Sequence, residues 1–405
     1  MQAVIVTHDL KPERWRLMPW RTVIEVARRL PALGFKTSIL SLGSASGAIE
    51  VGDPSVSVVG AGKQYDRLAD LMMGLYESRR PDVLFWPVTL RQSCRRLAEV
   101  SRLEIPVVSY FPGGLYRVRD SLYAMRRIGV RATAPYLLES LSPKQRKIRC
   151  FARLGVGAVL TMTQETGTAL SKADWPAARL FIAEPGREQS PAKDRESPPD
   201  LPDWASTFLG GEEYLLFAGP PTAIRGVFEL LDAFDMAAKA RTKFKLICLF
   251  RSDPGVDMRK LERRVAQSPN GDRILAVWKS VDPPVMSAFL SQCRAAVFPF
   301  LLVPSEIPLA IIELLAWGKP AITTRCGGTG AFVRRFGLTV PVGNVEALAD
   351  ALVAIVKNEG LHTRCCEAAR LLYQEHPTWD QTAQRWRDAA LCAFGQMQKQ
   401  LPHRV

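Results

Sequence analysis

The sequence lacks long apolar runs, paired cysteine spacings and low-complexity tracts. Without a run of about 18 apolar residues, no membrane-spanning helix is expected. The first residues read as a buried strand rather than as a charged segment with an apolar signal region, so we expect a cytoplasmic protein. The eight cysteines are scattered without a C-x-x-C spacing, which argues against a zinc site or a disulfide framework and predicts reduced thiols.

The composition is that of a folded protein with more than one domain. The chain has 405 residues, of which 47% are hydrophobic and 23% are charged. These proportions are typical of a soluble globular protein rather than of a disordered one. A chain of this length exceeds one compact core and fits two domains, each large enough to be stable alone.

The net charge of +14 is concentrated in the first half of the chain. Up to Glu184 there are 27 Lys and Arg against 16 Asp and Glu, or +11, which leaves +3 for the remainder. Basic residues interleaved with apolar ones suit either a solvated face or an anionic membrane surface. No nucleic acid is expected, because no helix-turn-helix, zinc-finger or RNA-binding signature accompanies the charge. The densest basic positions are Arg117, Arg119, Arg126, Arg127, Arg131, Lys144, Arg146, Lys147, Arg149 and Arg153.

Short β-branched runs alternate with helical patterns in both halves of the chain. This alternation predicts an α/β fold with two Rossmann-like, doubly wound parallel-sheet domains that face each other across a cleft. Strands are predicted over residues 3–7, 36–42, 83–86, 105–110, 158–162, 180–183, 214–218, 244–250, 274–278, 295–298 and 321–323. Helices are predicted over residues 21–30, 68–78, 147–154, 226–240, 258–267, 284–293, 308–317 and 379–394.

The composition of the segments between these patterns predicts the domain boundaries. Residues 1–186 form the first domain, and residues 187–205, rich in proline, serine and charge, form a linker. Residues 206–376 form the second domain, and residues 377–405 form a terminal helix that packs back towards the first. Ligands of open parallel sheets bind beyond the carboxyl ends of the strands, so we expect the site between the two domains.

The stretch 305–324 is the most informative part of the chain. Glu306 and Glu313 flank the start of a helix that begins near Pro308 and ends near Gly318. The amides of the first helical turn, including those of Leu309 and Ala310, then point outward and attract phosphate. Glu306 is expected beside this phosphate site. The alternative is an ordinary amphipathic helix with Glu313 on a solvated face.

Four segments of the second half, taken in order, resemble the retaining GT-B glycosyltransferases of family 4, known as group 1. The resemblance spans residues 214 to about 357. It is carried by the glycine-rich turn of residues 217–227, by the two glutamates and Gly-Lys-Pro ending of residues 305–320, by the glycines of residues 326–330 and by the segment 337–349.

The resemblance implies roles for individual residues. Arg225 would neutralise the donor diphosphate and Glu306 would orient the donor hexose, which makes them the implied catalytic pair. Glu313 would hold the ribose of the nucleotide, and glycines would permit close approach of backbone to donor. The implied donor-binding residues are Gly219, Ser305, Leu309, Ala310, Glu313, Gly327, Gly328 and Thr329.

The implied activity is transfer of a hexose from a nucleotide-diphosphate sugar to a glycan or lipid-linked acceptor, with retention of configuration. The nucleotide sugar is a substrate, and no cofactor or metal ion is expected, since no Asp-x-Asp segment is present to hold a metal. The acceptor would bind the basic first domain, whose charge also suits an anionic membrane surface. Its expected contacts are Arg14, Arg16, Arg21, Gly113 and Gly114.

The sequence departs from the family pattern at several positions. The first motif glutamate should fall at Ser305, so Glu306 stands one residue late. Pro220 occupies the place of a second diphosphate-binding cation, and Pro112 that of a histidine. These departures leave open a second hypothesis, a catalytically degenerate relative that binds a nucleotide, a glycan or a partner enzyme.

Overall fold

The computed structural model describes residues 1–51, 53, 55–62, 80–88, 94–188, 199–239, 243–251, 258–303 and 305–400. The helix expected over residues 68–78 lies outside this part of the chain. No helix in the described ranges is both long enough and apolar enough to cross a membrane.

The first half of the chain builds an eight-stranded sheet in the order β3-β4-β2-β1-β5-β6-β7-β8. All neighbouring strands are parallel except β3 and β4, which form an antiparallel edge. The strands are β1 (Gln2–His8), β2 (Lys36–Leu42), β3 (Gly47–Ala48), β4 (Ser57–Gly60), β5 (Val83–Pro87), β6 (Val107–Tyr110), β7 (Val156–Thr161) and β8 (Leu180–Ile182).

The second half builds a six-stranded, all-parallel sheet in the order β11-β10-β9-β12-β13-β14. Its strands are β9 (Tyr214–Gly219), β10 (Lys245–Phe250), β11 (Ile274–Val277), β12 (Ala295–Phe298), β13 (Ala321–Thr324) and β14 (Leu338–Val340). Two parallel-sheet domains confirm the predicted fold class. The short strands β3, β4 and β14 were not predicted, because two to four residues carry too little periodicity to be recognised.

Helices cover both faces of each sheet. Their bounds are α1 (Trp20–Arg29), α2 (Cys94–Ser101), α3 (Val118–Ile128), α4 (Val130–Leu141), α5 (Lys144–Arg153), α6 (Gln164–Ser171), α7 (Asp203–Leu209), α8 (Val227–Ala238), α9 (Met258–Ala266), α10 (Pro283–Gln292), α11 (Leu309–Ala316), α12 (Gly327–Val333), α13 (Val345–Lys357), α14 (Glu359–Glu375) and α15 (Trp379–Gln400). Helices α2, α6, α12, α13 and α14 were not predicted, and no bounds were predicted for α3 and α4. Helix α7 begins inside the segment expected to be a linker.

Each sheet is buried on both faces, which explains the continuous apolar runs of its strands. Successive side chains of a strand point to opposite faces. In β1, Ala3 and Ile5 enter one apolar cluster and Val4 enters the other. In β9, Leu216 and Leu215 separate in the same way. These are the layers of a doubly wound sheet.

The terminal helix α15 packs against the first domain. The ring of Trp386 lies 5.0 Å from the rings of both Phe85 and Tyr110. Gly157 on β7 allows the backbone of Ala393 to approach, since a Cβ at Gly157 would lie 2.6 Å from the Ala393 Cα. The chain therefore returns to the first sheet after completing the second.

The cysteines are mostly buried thiols, as expected. Six cysteines are free among the described residues, and those at 248, 293, 326, 365 and 366 are buried. Cys150 on α5, however, is disulfide-bonded. The expectation that all thiols are reduced is therefore wrong at this position, because the fold joins cysteines that no short spacing links.

Candidate functional site

A cleft of about 300 Å³ lies between the two domains, at the carboxyl ends of their central strands. The segment after β1 supplies residues 16–18 and Trp20 on one side. The ends of β9 and β10 and the start of α11 supply the other side, with Gly219, Arg251 and Leu309 among the lining residues. This is the location expected for a ligand of two facing doubly wound sheets. We call it the interdomain cleft.

The charged residues that line the interdomain cleft are mainly basic. Its basic lining residues are Arg16, Arg225, Arg251 and Lys279, and Glu313 is the sole acidic residue among the lining residues described. Several cations held around one small space repel each other unless an anion binds among them. The lining charges therefore favour an anionic ligand.

Arg225 is positioned by two glycines. It ends the 3-10 turn Ala223–Arg225, and Gly226 follows with φ of 72°, a left-handed conformation suited to glycine. A Cβ at Gly226 would also overlap the carbonyl of Pro299. At Gly219, φ is 146°, and a Cβ would lie 3.2 Å from the Arg225 Nη1. The guanidinium stands 5.6 Å from the ring centre of Phe300, so its charge is held at the cleft wall.

The start of α11 presents backbone amides to the cleft. Pro308 is the N-cap, with an extended backbone, and Leu309 and Ala310 line the cleft. Neither of these two amides has an acceptor among the described residues, whereas the amide of Ile311 donates to the Pro308 carbonyl over 2.9 Å. The helix dipole adds positive potential at this end. The predicted phosphate-binding geometry is therefore present at Leu309 and Ala310.

Glu313 lies one turn further along α11 and lines the cleft. Its side chain is exposed to solvent within the cleft. Desolvation in this setting raises the pKa of Glu313, and Glu188 adds to the rise while Arg21 opposes it. A carboxylate at this depth is placed to accept hydrogen bonds from hydroxyl groups of a ligand.

Glu306 does not line the cleft. It is 1% exposed and lies in what we call the Glu306 pocket, formed by Thr163, Thr166, Gly114 and Gly328. The Thr163 hydroxyl donates to Oε2 over 2.9 Å, and the Thr166 hydroxyl donates to Oε1 over 2.5 Å. The Gly328 amide donates to Oε1 over 3.2 Å. The prediction that Glu306 lies beside the phosphate site in a solvent-lined cleft is therefore wrong.

The Glu306 pocket joins the two domains. Thr163 and Thr166 belong to the first domain, whereas Glu306 and Gly328 belong to the second. Burial raises the pKa of Glu306, and the three hydrogen bonds partly offset that rise. The carboxylate oxygens of Glu306 accept hydrogen bonds within the protein, and two of the donors belong to the other domain, so this buried group links the two domains.

Ser305 faces the cleft in place of the expected carboxylate. It is 6% exposed and lines the cleft, and its hydroxyl lies 3.7 Å from the Met162 sulfur. The adjacent Glu306 side chain leaves the backbone towards Thr163 instead. Position 305, where the family motif has its first glutamate, therefore faces the cleft, but in this chain the residue there is a serine.

The glycines after β13 serve the Glu306 pocket more than the cleft. A Cβ at Gly328 would lie 2.8 Å from Glu306 Oε1, and the Thr329 hydroxyl donates to the Glu306 carbonyl over 2.5 Å. Gly327 opens α12 with φ of 53° and has open space beside it. None of the three lines the interdomain cleft, so their role in donor binding stays a prediction.

Of the three arginines expected on the acceptor side, only Arg16 lines the interdomain cleft. Arg21 is paired with Glu25 over 2.7 Å and with Glu188 over 2.8 Å. Arg14 lies 5.5 Å from the Trp20 ring and lines neither this cleft nor the neighbouring cavity. Arg21 is therefore neutralised, and Arg16 is the candidate that presents charge to a ligand.

Gly113 and Gly114 follow β6 and turn towards the second domain. A Cβ at Gly114 would lie 2.6 Å from Glu306 Oε1, so this loop helps to close the Glu306 pocket. The acceptor role expected of the two glycines stays a prediction. The observed contact of Gly114 is with the buried Glu306 side chain.

Four residues of the cleft and of the Glu306 pocket were not predicted as site residues. Arg251 follows β10 and Lys279 follows β11, so their positions at strand ends were the signal that identifies them. Thr163 and Thr166 carried no such signal, because their partner lies about 140 residues later in the chain.

Of three comparisons with known proteins, two find matches and one finds none. Residues 212–358 match the family model described as glycosyl transferases group 1. No curated protein matches the sequence significantly. Sucrose-phosphate synthase from Thermosynechococcus elongatus is similar in structure, with 15% identity, 100% of both chains covered and a TM-score of 0.65.

Two further solved structures are similar over almost the whole chain. One is an α,α-trehalose-phosphate synthase (UDP-forming) from Burkholderia xenovorans in complex with glucose-6-phosphate, with 12% identity, 96% of this chain and 99% of that chain covered and a TM-score of 0.68. The other is Anabaena HepE in complex with UDP and glucose, with 13% identity, coverages of 96% and 98% and a TM-score of 0.63. This chain therefore has the fold of the GT-B glycosyltransferases, and its residues 212–358 match the model of the group 1 glycosyl transferases.

Proposed function

We propose that this protein is a glycosyltransferase that moves a hexose from a nucleoside-diphosphate sugar to an acceptor hydroxyl. One observation carries the proposal. A guanidinium, two outward-pointing helix amides and a carboxylate line the same interdomain cleft, supplied by Arg225, by Leu309 and Ala310, and by Glu313. These groups suit a diphosphate followed by a ribose.

The proposed chemistry needs positive charge more than it needs a base. The bond between the anomeric carbon and the diphosphate oxygen breaks, and the acceptor oxygen forms a new bond to the same carbon. Negative charge develops on the leaving diphosphate, where Arg225 and the amides of α11 stabilise it. The leaving phosphate takes the acceptor proton, and we propose that configuration is retained. In this scheme basic side chains, rather than a metal ion, neutralise the diphosphate.

Arg225→Ala tests the proposal most directly. Loss of one preorganised donor to developing charge lowers kcat by about 10² to 10³-fold. Because Arg225 is partly exposed at the cleft wall, its removal leaves the thermal unfolding midpoint nearly unchanged. Transfer is measured with UDP-, GDP- and ADP-hexoses, starting with UDP, which is bound in the Anabaena HepE structure.

The control is Arg325→Ala, because Arg325 is exposed after β13 and does not line the cleft. Full activity in Arg325→Ala together with the loss in Arg225→Ala supports the proposal. Equal activity of the two variants, or failure of the wild-type protein to bind any nucleotide, contradicts it.

A second candidate function is a catalytically degenerate binding subunit of the same fold. The observation that favours it is Ser305 in the cleft where the resemblance implies a carboxylate, with Glu306 buried elsewhere. Binding of a nucleotide sugar that raises the melting temperature without turnover, over a panel of acceptors, distinguishes this candidate from an enzyme.

We propose a glycan or lipid-linked acceptor for the enzyme and contact with an anionic membrane at its inner, cytoplasmic face. Helices α3, α4 and α5 carry the support for this. They combine exposed basic residues with exposed apolar ones, which are Leu122, Val130, Leu138 and Leu141 at 37%, 64%, 53% and 58% exposure. Such a surface suits a lipid interface.

A further inference from the structure

The cleft wall of the second domain lacks one of the two cations that the resemblance implies for the donor diphosphate. Pro220 stands directly after β9, lines the cleft and offers neither a charge nor a backbone N–H. Arg225 alone is left on this turn. A diphosphate carries more negative charge than Arg225 alone neutralises, and Arg251 and Lys279 line the same cleft from the ends of β10 and β11.

Arg16 faces the same space from the opposite domain. It belongs to the segment between β1 and α1, and it lines the cleft together with Pro220 and Arg225. Its guanidinium lies 4.8 Å from the ring centre of Trp15, which supports it from the side. Arg16 pairs with no carboxylate in the described part of the chain, whereas nearby Arg21 has two.

From this geometry we propose that Arg16 supplies the second cation for the donor diphosphate, in place of the residue lost at Pro220. The inference rests on the proposed function. It makes the diphosphate a bridge between the domains, with Arg225 on one wall and Arg16 on the other. Donor binding then draws the two domains together, because the diphosphate contacts basic residues of both walls.

The test compares the affinities of UDP, UMP and uridine for the wild-type protein and for Arg16→Ala by calorimetry. Removal of a charge-assisted hydrogen bond weakens UDP binding by about tenfold to a hundredfold. The effect is smaller for UMP and absent for uridine, since only the phosphates contact Arg16. Arg16→Lys keeps the charge but loses the guanidinium fork and its contact with Trp15, so it is expected to keep only part of the affinity.

Arg14→Ala is the matched control, because Arg14 lies two residues away and does not line the cleft. Its UDP affinity should equal that of the wild-type protein. The second arm returns the lost cation to the second domain: Pro220→Lys in the Arg16→Ala background is expected to recover part of the UDP affinity. Circular dichroism confirms that each variant is folded before its affinity is compared.

Two results overturn the inference while leaving the proposed function intact. One is equal UDP affinity of Arg16→Ala and Arg14→Ala, with Arg16→Ala instead raising the KM for the acceptor. The other is an equal loss for UDP and uridine, which assigns Arg16 to the nucleoside. Failure of the wild-type protein to bind UDP, GDP or ADP is different, because it removes the proposed function itself.

Discussion

Glu313 combines two properties that make its chemistry dependent on pH. It lines a cleft in which the other charged lining residues are basic, and desolvation raises its pKa. Arg21 opposes the rise, but this arginine is already held by Glu25 and Glu188. A carboxylate that is costly to ionise gains most when a ligand hydroxyl donates to it.

We expect nucleotide affinity to fall as pH falls through the raised pKa of Glu313. An acid with a raised pKa is protonated at a higher pH than a free glutamate, whose pKa is about 4.3. Below that point the charge-assisted hydrogen bond to the ligand becomes a neutral one, which lowers affinity about fivefold to tenfold. UDP binding measured from pH 7 downward gives the profile.

Glu313→Gln should remove this pH dependence and bind UDP at pH 7 as weakly as the wild-type protein does at low pH. Glu367→Gln is the control, because Glu367 is exposed on α14 far along the chain from the cleft residues. A Glu313→Gln variant with the wild-type pH profile would show that another group titrates.

At the scale of elements, α11 lines the cleft, whereas α12 contacts the first domain. Helix α11 turns its first amides and Glu313 to the cleft. Helix α12 turns Gly328 and Thr329 to Glu306, so it holds the contact with α6 of the first domain. Glycine at position 328 is required by space, since its neighbours are the Glu306 carboxylate and the Thr163 hydroxyl.

Gly328→Ala should weaken the contact between the domains. The new Cβ would meet Glu306 Oε1 at 2.8 Å and the Thr163 hydroxyl more closely still. Overpacking of this kind costs about 1–3 kcal/mol. Denaturant unfolding measures the loss, and small-angle X-ray scattering measures whether the cleft opens.

Gly395→Ala is the matched substitution on helix α15, where a new Cβ meets nothing within 4 Å. There alanine is expected to stabilise the helix by about 0.5–1 kcal/mol. If both variants unfold at the same denaturant concentration, the Glu306 pocket does not hold the domains together.

At the scale of the whole molecule, direct contacts between the two domains hold the cleft, in addition to the segments that connect the domains. The Tyr116 hydroxyl donates to the Val303 carbonyl over 2.9 Å, and Arg127 pairs with Glu229 over 2.9 Å. Helix α3 therefore uses one face to hold the second domain. Its other basic residues, such as Arg126, remain exposed.

Reversal of two exposed charges should abolish selective binding to anionic vesicles. Arg126→Glu with Arg131→Glu changes the charge of the α3–α4 surface by −4, and each basic residue near such a surface contributes about 1 kcal/mol. Sedimentation with phosphatidylserine-containing and pure phosphatidylcholine vesicles measures the difference. The control pair, Arg263→Glu with Arg334→Glu, makes the same change on exposed sites of the second domain. Equal loss in both pairs would mean that net charge alone governs binding.

The sequence by itself determined the two doubly wound sheets, because alternating apolar runs and helical periods are local patterns with a single economical packing. It also located Arg225, the start of α11 and Glu313, since strand ends and helix starts are read from short segments. Tertiary structure alone decided that Ser305 faces the cleft while Glu306 enters a buried pocket, and that of Arg14, Arg16 and Arg21 only Arg16 lines the cleft. The physical reason is that adjacent side chains leave an irregular loop in different directions, and their partners, such as Thr163, lie more than a hundred residues away. The periodicity of a short sequence segment does not predict such long-range contacts.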